Sequence, residues 1–258
     1  MATTWNPDQY LRFAQPRLRP ALDLVARLAF PGGGPATIVD LGCGTGSVTA
    51  LLMARWPDAS VTGIDSSAEM LARAAAALPG GQWIEAPVDG WTAPNGADLV
   101  FSNAALHWLP DHPTLFPHLA RQVRSGGLLA VQMPRNFGAP SHTGIAEAAR
   151  HGPWRPRLEP LIRETPVLAP ADYYAALQPF GEVDIWETEY LQVLHGPDPV
   201  KEWTKGTWLR PFLAALDGSE RHAFEDEYAA RMRTAYPMRP DGSTLFPFRR
   251  LFVVLRRG

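Results

Sequence analysis

The spacing of apolar positions changes character near residue 135, and that change divides the chain. Between residues 36 and 133, short apolar runs alternate with stretches whose apolar positions recur every third or fourth residue. The runs predict strands near 36–40, 60–64, 82–86, 96–101 and 127–133, with helices near 47–56, 67–78 and 114–124. Short connections and strict alternation imply a parallel sheet covered on both faces. Ser66-Ser67-Ala68-Glu69 supplies capping chemistry for the second of these helices. Upstream, residues 7–29 read as helical, with Leu22, Val25, Ala26 and Leu28 on one face and breaks near Pro16 and Pro20. Beyond Met133 the pattern loosens. Residues 135–180 are rich in Pro, Arg and His, with helical pieces near 143–150 and 170–177. Residues 182–194 alternate like a strand, 198–236 read as helical, and 250–255 form a last apolar strand. A structureless loop of the length between those two strands is uncommon, so an inserted helical cap is predicted. The expected organisation is an N-terminal helical segment and sheet core over 1–135, cap segments over 136–181 and 195–246, and core strands over 182–194 and 247–258.

Composition narrows the class. With 258 residues, 46% hydrophobic and 19% charged, the chain supports one α/β domain with an elaboration, or two small domains. A net charge of −2 with no dense Lys/Arg patch gives nucleic acid no electrostatic footing. The single cysteine, Cys43, precludes an internal disulfide and suits a reducing compartment. Apolar runs are too short for a membrane span, and the first residues lack a basic-then-apolar leader. A cytoplasmic protein without a metal centre is the expectation; the sequence leaves the oligomeric state open, with a monomer favoured.

The first strand runs into Val39-Asp40-Leu41-Gly42-Cys43-Gly44-Thr45-Gly46-Ser47. Glycines at alternate positions permit a tight turn and close approach of main chain to ligand. A dinucleotide fingerprint needs its third glycine one residue later, where Ser47 stands. This spacing, with Asp40 ahead of it, resembles the first motif of the S-adenosylmethionine (SAM)-dependent methyltransferases. There the carboxylate balances the ligand's amino group. Ser60-Val61-Thr62-Gly63-Ile64 then ends at Asp65. An acid at that place accepts hydrogen bonds from both ribose hydroxyls, a feature that nicotinamide enzymes share. After the third predicted strand comes Val88-Asp89-Gly90-Trp91. Asp89 alone reads as a turn aspartate; in register with Asp40 and Asp65 it reads as the acid that holds the adenine amine in these enzymes. The resemblance adds Ser66, Met70, Gly90, Trp91 and Asn103 to the cofactor set. It implies an α/β, Rossmann-like class I methyltransferase sheet, mostly parallel with the last strand antiparallel, plus a helical cap.

A narrower resemblance spans essentially the whole chain. Trp5-Asn6-Pro7 with Tyr10 and Phe13, Leu106-His107-Trp108-Leu109-Pro110-Asp111-His112, Val131-Gln132-Met133-Pro134, Val183-Asp184-Ile185-Trp186, Leu209-Arg210-Pro211 and Arg250-Leu251-Phe252 are similar to the trans-aconitate 2-methyltransferases. Lys205-Gly206-Thr207-Trp208 and Phe248-Arg249 depart from that pattern and bear on substrate size. The resemblance implies methyl transfer from SAM to one carboxylate of trans-aconitate, giving the monomethyl ester and S-adenosylhomocysteine (SAH).

Such a reaction asks little of acid–base chemistry. A free carboxyl group has a pKa near 4, so the nucleophile is ionised at neutral pH and no general base is expected. Positioning and desolvation remain, together with fixed cations for the unreactive carboxylates, for which the arginine fork is suited. Arg19, Arg210 and Arg250 fit the family's pattern, in segments expected outside the sheet; the alternative for each is a solvated surface charge. Arg249 adjoins Arg250 and points to the opposite face of a strand. His107 and Trp108 are expected beside the methyl-transfer centre, or else as a helix-start histidine and a core tryptophan. Tyr173 and Tyr174 offer a phenol to a carboxylate, or pack, and packing is favoured. The partner is then a small polycarboxylate. A methyltransferase for another small acid is the nearest alternative, and a non-catalytic SAM-binding regulator is the alternative of a different class. The glycine spacing disfavours a nicotinamide dehydrogenase. Ser102-Asn103-Ala104-Ala105, in place of an Asn-Pro-Pro-Tyr motif, disfavours a nucleic-acid methyltransferase.

Overall fold

The computed structural model describes residues 14–258, with side chains from residue 18 onward. Helix α1 (Ala14–Arg27) runs unbroken through Pro16 and Pro20, contrary to the expected breaks. An interior proline removes one helical hydrogen bond. Here the buried face formed by Ala21, Leu24, Val25 and Leu28 holds the helix together regardless.

Strand β1 (Thr37–Leu41) leads into α2 (Ser47–Arg55), β2 (Ser60–Asp65), α3 (Ala68–Ala77), β3 (Gln82–Glu85) and β4 (Ala97–Asn103). After a short turn at Leu106–Trp108 come α4 (His112–Arg121) and β5 (Val123–Pro134). The second half contributes α5 (Pro140–Arg150), α6 (Arg155–Leu158), α7 (Pro170–Leu177), β6 (Gly181–His195), α8 (Pro199–Lys205), α9 (Arg210–Ala214), α10 (Gly218–Ala235) and β7 (Ser243–Arg257). The sheet order is β3-β2-β1-β4-β5-β7-β6. β1 to β5 pair in parallel, and β7 returns antiparallel against β5. Side chains on both faces of β4 and β5 are buried, which is why these strands read as continuous apolar runs. At the amino ends, the Asp98 carboxylate accepts hydrogen bonds from the Ala36 and Thr37 main-chain nitrogens and from Thr37 Oγ1, which fixes β4 against β1.

Two compact units emerge. One contains residues 18–134, 166–188 and 250–258; the other is built chiefly from 135–165 and 189–249. These boundaries differ from the expected ones. Residues 166–181, expected in the cap, belong with the sheet because Tyr173 and Leu177 of α7 are fully buried and Tyr173 packs on Phe116 of α4. The helical unit has its own core around Trp154, Trp203, Phe224, Tyr228, Phe246 and Phe248. The predicted helical stretch 198–236 resolves into α8, α9 and α10, and the last strand starts at Ser243 instead of 250.

Candidate active site

The glycine loop is built by backbone conformation. Gly42, Gly44 and Gly46 have φ of 71°, 55° and 80°, in the left-handed region that glycine enters without cost. Gly42 also meets a steric demand, since a Cβ there would lie 2.2 Å from the Ala105 Cβ. The loop is thereby drawn against the chain that leaves β4. Its start is tied to β2, because the main-chain nitrogens of Gly42 and Cys43 both donate to the Ile64 carbonyl, at 2.8 and 3.0 Å.

Asp65 closes this arrangement. One carboxylate oxygen accepts from the Gly44 nitrogen and the other from the Ser67 nitrogen, each at 2.9 Å. Ser67 then caps α3, accepting from the nitrogen of the buried Met70 at 3.3 Å, while Ser66 is exposed beside it. Each carboxylate oxygen has two lone pairs, so Asp65 keeps capacity for a further donor such as a ribose hydroxyl.

Asp40 lies inside the core, 1% exposed, and accepts a hydrogen bond of 2.6 Å from Thr49 Oγ1. Burial raises its pKa from the usual 3.8 to about 7, the Thr49 hydrogen bond opposes that rise, and the Asp65 charge adds to it. Thr49 was not legible as a functional residue; only its place one turn into α2 brings it under Asp40. Burial and the two neighbouring carboxylates push the Cys43 thiol up, so it packs as a small apolar group and is no thiolate nucleophile.

Asp89 and Gly90 occupy an exposed turn after β3, and the Trp91 carbonyl is held by His118 Nε2 at 2.8 Å. Asn103 ends β4 with its side-chain oxygen buried and without a protein partner. Ala104 follows with a φ of 52°, a strained value for a residue with a side chain, and it aims the chain into the Leu106–Trp108 turn. His107 is buried and Trp108 is 47% exposed, with ring centroids 4.7 Å apart. His112, which closes the family segment but was given no role from the sequence, anchors the turn: its Nε2 meets the Leu106 carbonyl at 3.0 Å and its Nδ1 meets the Tyr173 hydroxyl. The Tyr173 phenol also accepts from the Leu168 nitrogen and is fully buried, so it packs in the core, the favoured of the two expectations, and does not face a substrate carboxylate. Its neighbour Tyr174 is 55% exposed.

The chain matches known proteins at two levels. A family model described as a methyltransferase domain matches residues 38–127. A trans-aconitate 2-methyltransferase from Azoarcus sp. (strain BH72) is 48% identical over 98% of this chain and 99% of its own length. The chain belongs to the trans-aconitate 2-methyltransferase family. A second member, from Streptomyces coelicolor, is 48% identical over 99% of this chain and 88% of its own. Among solved structures, geranyl diphosphate C-methyltransferase from Streptomyces coelicolor, in complex with SAH, shares the fold with a TM-score of 0.55 at 17% identity, covering 97% of this chain and 82% of its own.

The family's expected substrate residues are distributed unequally. Arg250, at the start of the last strand expected from the sequence, lies within β7 opposite Pro134 of β5 and is 8% exposed, so it stands in the sheet and not in a segment outside it. Arg19 is exposed on α1. Arg210 belongs to the helical unit, half-buried at the start of α9, where desolvation lowers its pKa. Of the residues expected to depart from the family pattern, Trp208 is partly buried and packs on Phe137, with ring centroids 4.9 Å apart, and Phe248 is buried near His142. Arg249 is exposed and pairs with Glu189 at 4.0 Å. A cavity of about 430 Å³ in the helical unit is lined by Phe137, His142, Arg150, Arg163 and Trp208; of these only Trp208 was singled out in the sequence, as a residue bearing on substrate size. Among the described residues, Trp5, Asn6, Pro7, Tyr10 and Phe13 are not represented, so the first family segment lies outside them. No helix among the described residues is long and apolar enough to cross a membrane.

Proposed function

We propose that this protein transfers a methyl group from SAM to one carboxylate of trans-aconitate, yielding the monomethyl ester and SAH. The observation that carries the reading is a glycine loop closed on Asp65, in a chain 48% identical to a trans-aconitate 2-methyltransferase over nearly its full length. The residues fit SAM. Gly42, Gly44 and Gly46 leave room for its methionine end, Asp40 faces its ammonium, Asp65 accepts from its ribose, and Asp89 with Trp91 takes its adenine. When bound, SAM supplies an electrophilic methyl on a sulfonium. The protein's own work is to hold an already ionised carboxylate in line with that methyl and to strip its water. His107, Trp108 and Arg250 are the residues of the sheet unit assigned to that task, and Arg19 and Arg210 are further candidates for the unreactive carboxylates. We place the protein in the cytoplasm, supported by its single cysteine, Cys43, which is buried and free.

Incubation with methyl-labelled SAM and a panel of di- and tricarboxylic acids tests the reading. Label is expected in a base-labile ester of trans-aconitate, in preference to citrate and saturated tricarboxylates. Labelling of another acid with trans-aconitate untouched would refute the substrate assignment, and SAM binding without transfer to any acid would favour a regulator.

A further inference from the structure

The carboxyl ends of the central strands carry an amide that the fold itself does not use. Gln132 of β5 is 1% exposed, and neither its side-chain oxygen nor its side-chain nitrogen has a hydrogen-bond partner. Buried carboxamides are nearly always satisfied, and an apolar residue of the same size would fill this position at lower cost. Its surroundings are ordered strand, since the Gln132 carbonyl accepts from the Ala104 nitrogen at 2.9 Å and its neighbours Val131 and Met133 are fully buried.

Register shows what the amide faces. Gln132 pairs with Asn103 of β4 and with Phe252 of β7. Paired residues on neighbouring strands share a face of the sheet, and residues two apart on one strand do as well. Asn103, Gln132 and Arg250 therefore stand on one face, at the end of the sheet where ligands of such folds bind. The order β1-β4-β5-β7 separates their roles. Asn103 adjoins the chain that packs on the glycine loop, whereas Gln132 lies one strand farther out, beside Arg250.

We propose that the Gln132 carboxamide binds a carboxylate of the acceptor substrate, its N–H donating to the anion while Arg250 supplies charge from the same face. This rests on the polycarboxylate reading above and adds to it a neutral donor that selects among acids. A neutral amide holds a carboxylate without fixing it as tightly as a guanidinium, which suits the carboxylate that must react.

Gln132→Met and Gln132→Glu test the assignment, read by unfolding midpoint, SAH affinity, calorimetric binding of trans-aconitate to the SAH complex, and turnover. Gln132→Met is expected to unfold at or above the wild-type midpoint, because an unpaired buried amide is removed. Its SAH affinity should stay within about twofold, while trans-aconitate binding and kcat/KM fall about 10- to 100-fold, the effect of losing one hydrogen bond to a charged group. Gln132→Glu, of the same shape with a negative charge, should lose more. Unchanged trans-aconitate binding and turnover in both variants overturns the assignment while leaving the proposed reaction standing. A loss of SAH affinity equal to the loss of substrate binding also overturns it, by placing Gln132 on the cofactor. Wild-type protein that binds SAH but neither binds nor methylates trans-aconitate refutes the substrate reading, and this assignment with it.

Discussion

Asp40 shows how a single carboxylate couples folding to ligand. Its pKa is about 7 in the folded chain against 3.8 ordinarily, with burial as the leading cause. Below pH 3.8 it is protonated whether the chain is folded or not, so it contributes no pH dependence there. Between about 4 and 7 the folded state binds the extra proton, and stability falls as pH rises. Above 7 the full cost of an ionised buried group is present, up to about 4 kcal/mol for a shift of this size. Asp40→Asn keeps an acceptor for Thr49 and removes the charge. It is expected to be more stable than wild type at pH 8 and indistinguishable from it near pH 4, measured by urea denaturation. Equal stability at both pH values would refute a perturbed buried carboxylate. An ammonium brought beside Asp40 favours the ionised form, so SAM binding at pH 7 should also release a fraction of a proton, detectable by calorimetry in buffers of different ionisation enthalpy.

Elements were legible where one physical signal dominated. β1, β2 and α3 fall close to their predicted limits because an apolar run, a terminal acid and a serine cap each leave a local mark. β7 was misjudged because its first residues, Ser243–Arg249, mix polar and aromatic positions and continue the strand into the helical unit. The α7 segment was misassigned because its loyalty to the sheet depends on Tyr173 meeting Phe116 and His112, which are distant in sequence. The same applies to the site. Glycines and aspartates have recognisable spacing, whereas Thr49, His112 and Gln132 acquire meaning only from register and burial. Within the helical unit, Tyr228 of α10 plays the corresponding structural part. Its hydroxyl donates to the Ser141 carbonyl of α5 at 2.8 Å and accepts from Thr204 Oγ1 of α8 at 3.2 Å. Tyr228→Phe removes the donor to the Ser141 carbonyl, while the Thr204 hydroxyl keeps the Val200 and Lys201 carbonyls as acceptors, so the change should cost about 0.5–1.5 kcal/mol in denaturant unfolding. No measurable loss would mean that the Tyr228 hydroxyl contributes nothing beside the apolar packing and the Lys205–Glu225 and Arg231–Glu147 ion pairs that also join these helices.

At the scale of the whole molecule, the absence of a required base has a kinetic consequence. Two titratable groups near the loop and the β4 turn have reasons not to act as a base. Asp40 is buried beneath the loop on Thr49, and His112 is hydrogen-bonded through both ring nitrogens, with burial lowering its pKa. The attacking carboxylate needs no deprotonation above about pH 6, since its own pKa lies near 4. Saturation with SAM removes the Asp40 effect, because that titration acts on binding. The methyl-transfer step, isolated by rapid quench with both substrates saturating, should therefore vary by less than about twofold between pH 6 and 8. Under subsaturating SAM the observed rate should instead rise with pH through about 7, as Asp40 ionises. The two profiles separate a group that tunes ligand affinity from one that moves a proton in the reaction. If the transfer step itself rose steeply through pH 7, and Asp40→Asn left that rise in place, His107 would be the first candidate for a base and the reaction would no longer be one of positioning alone.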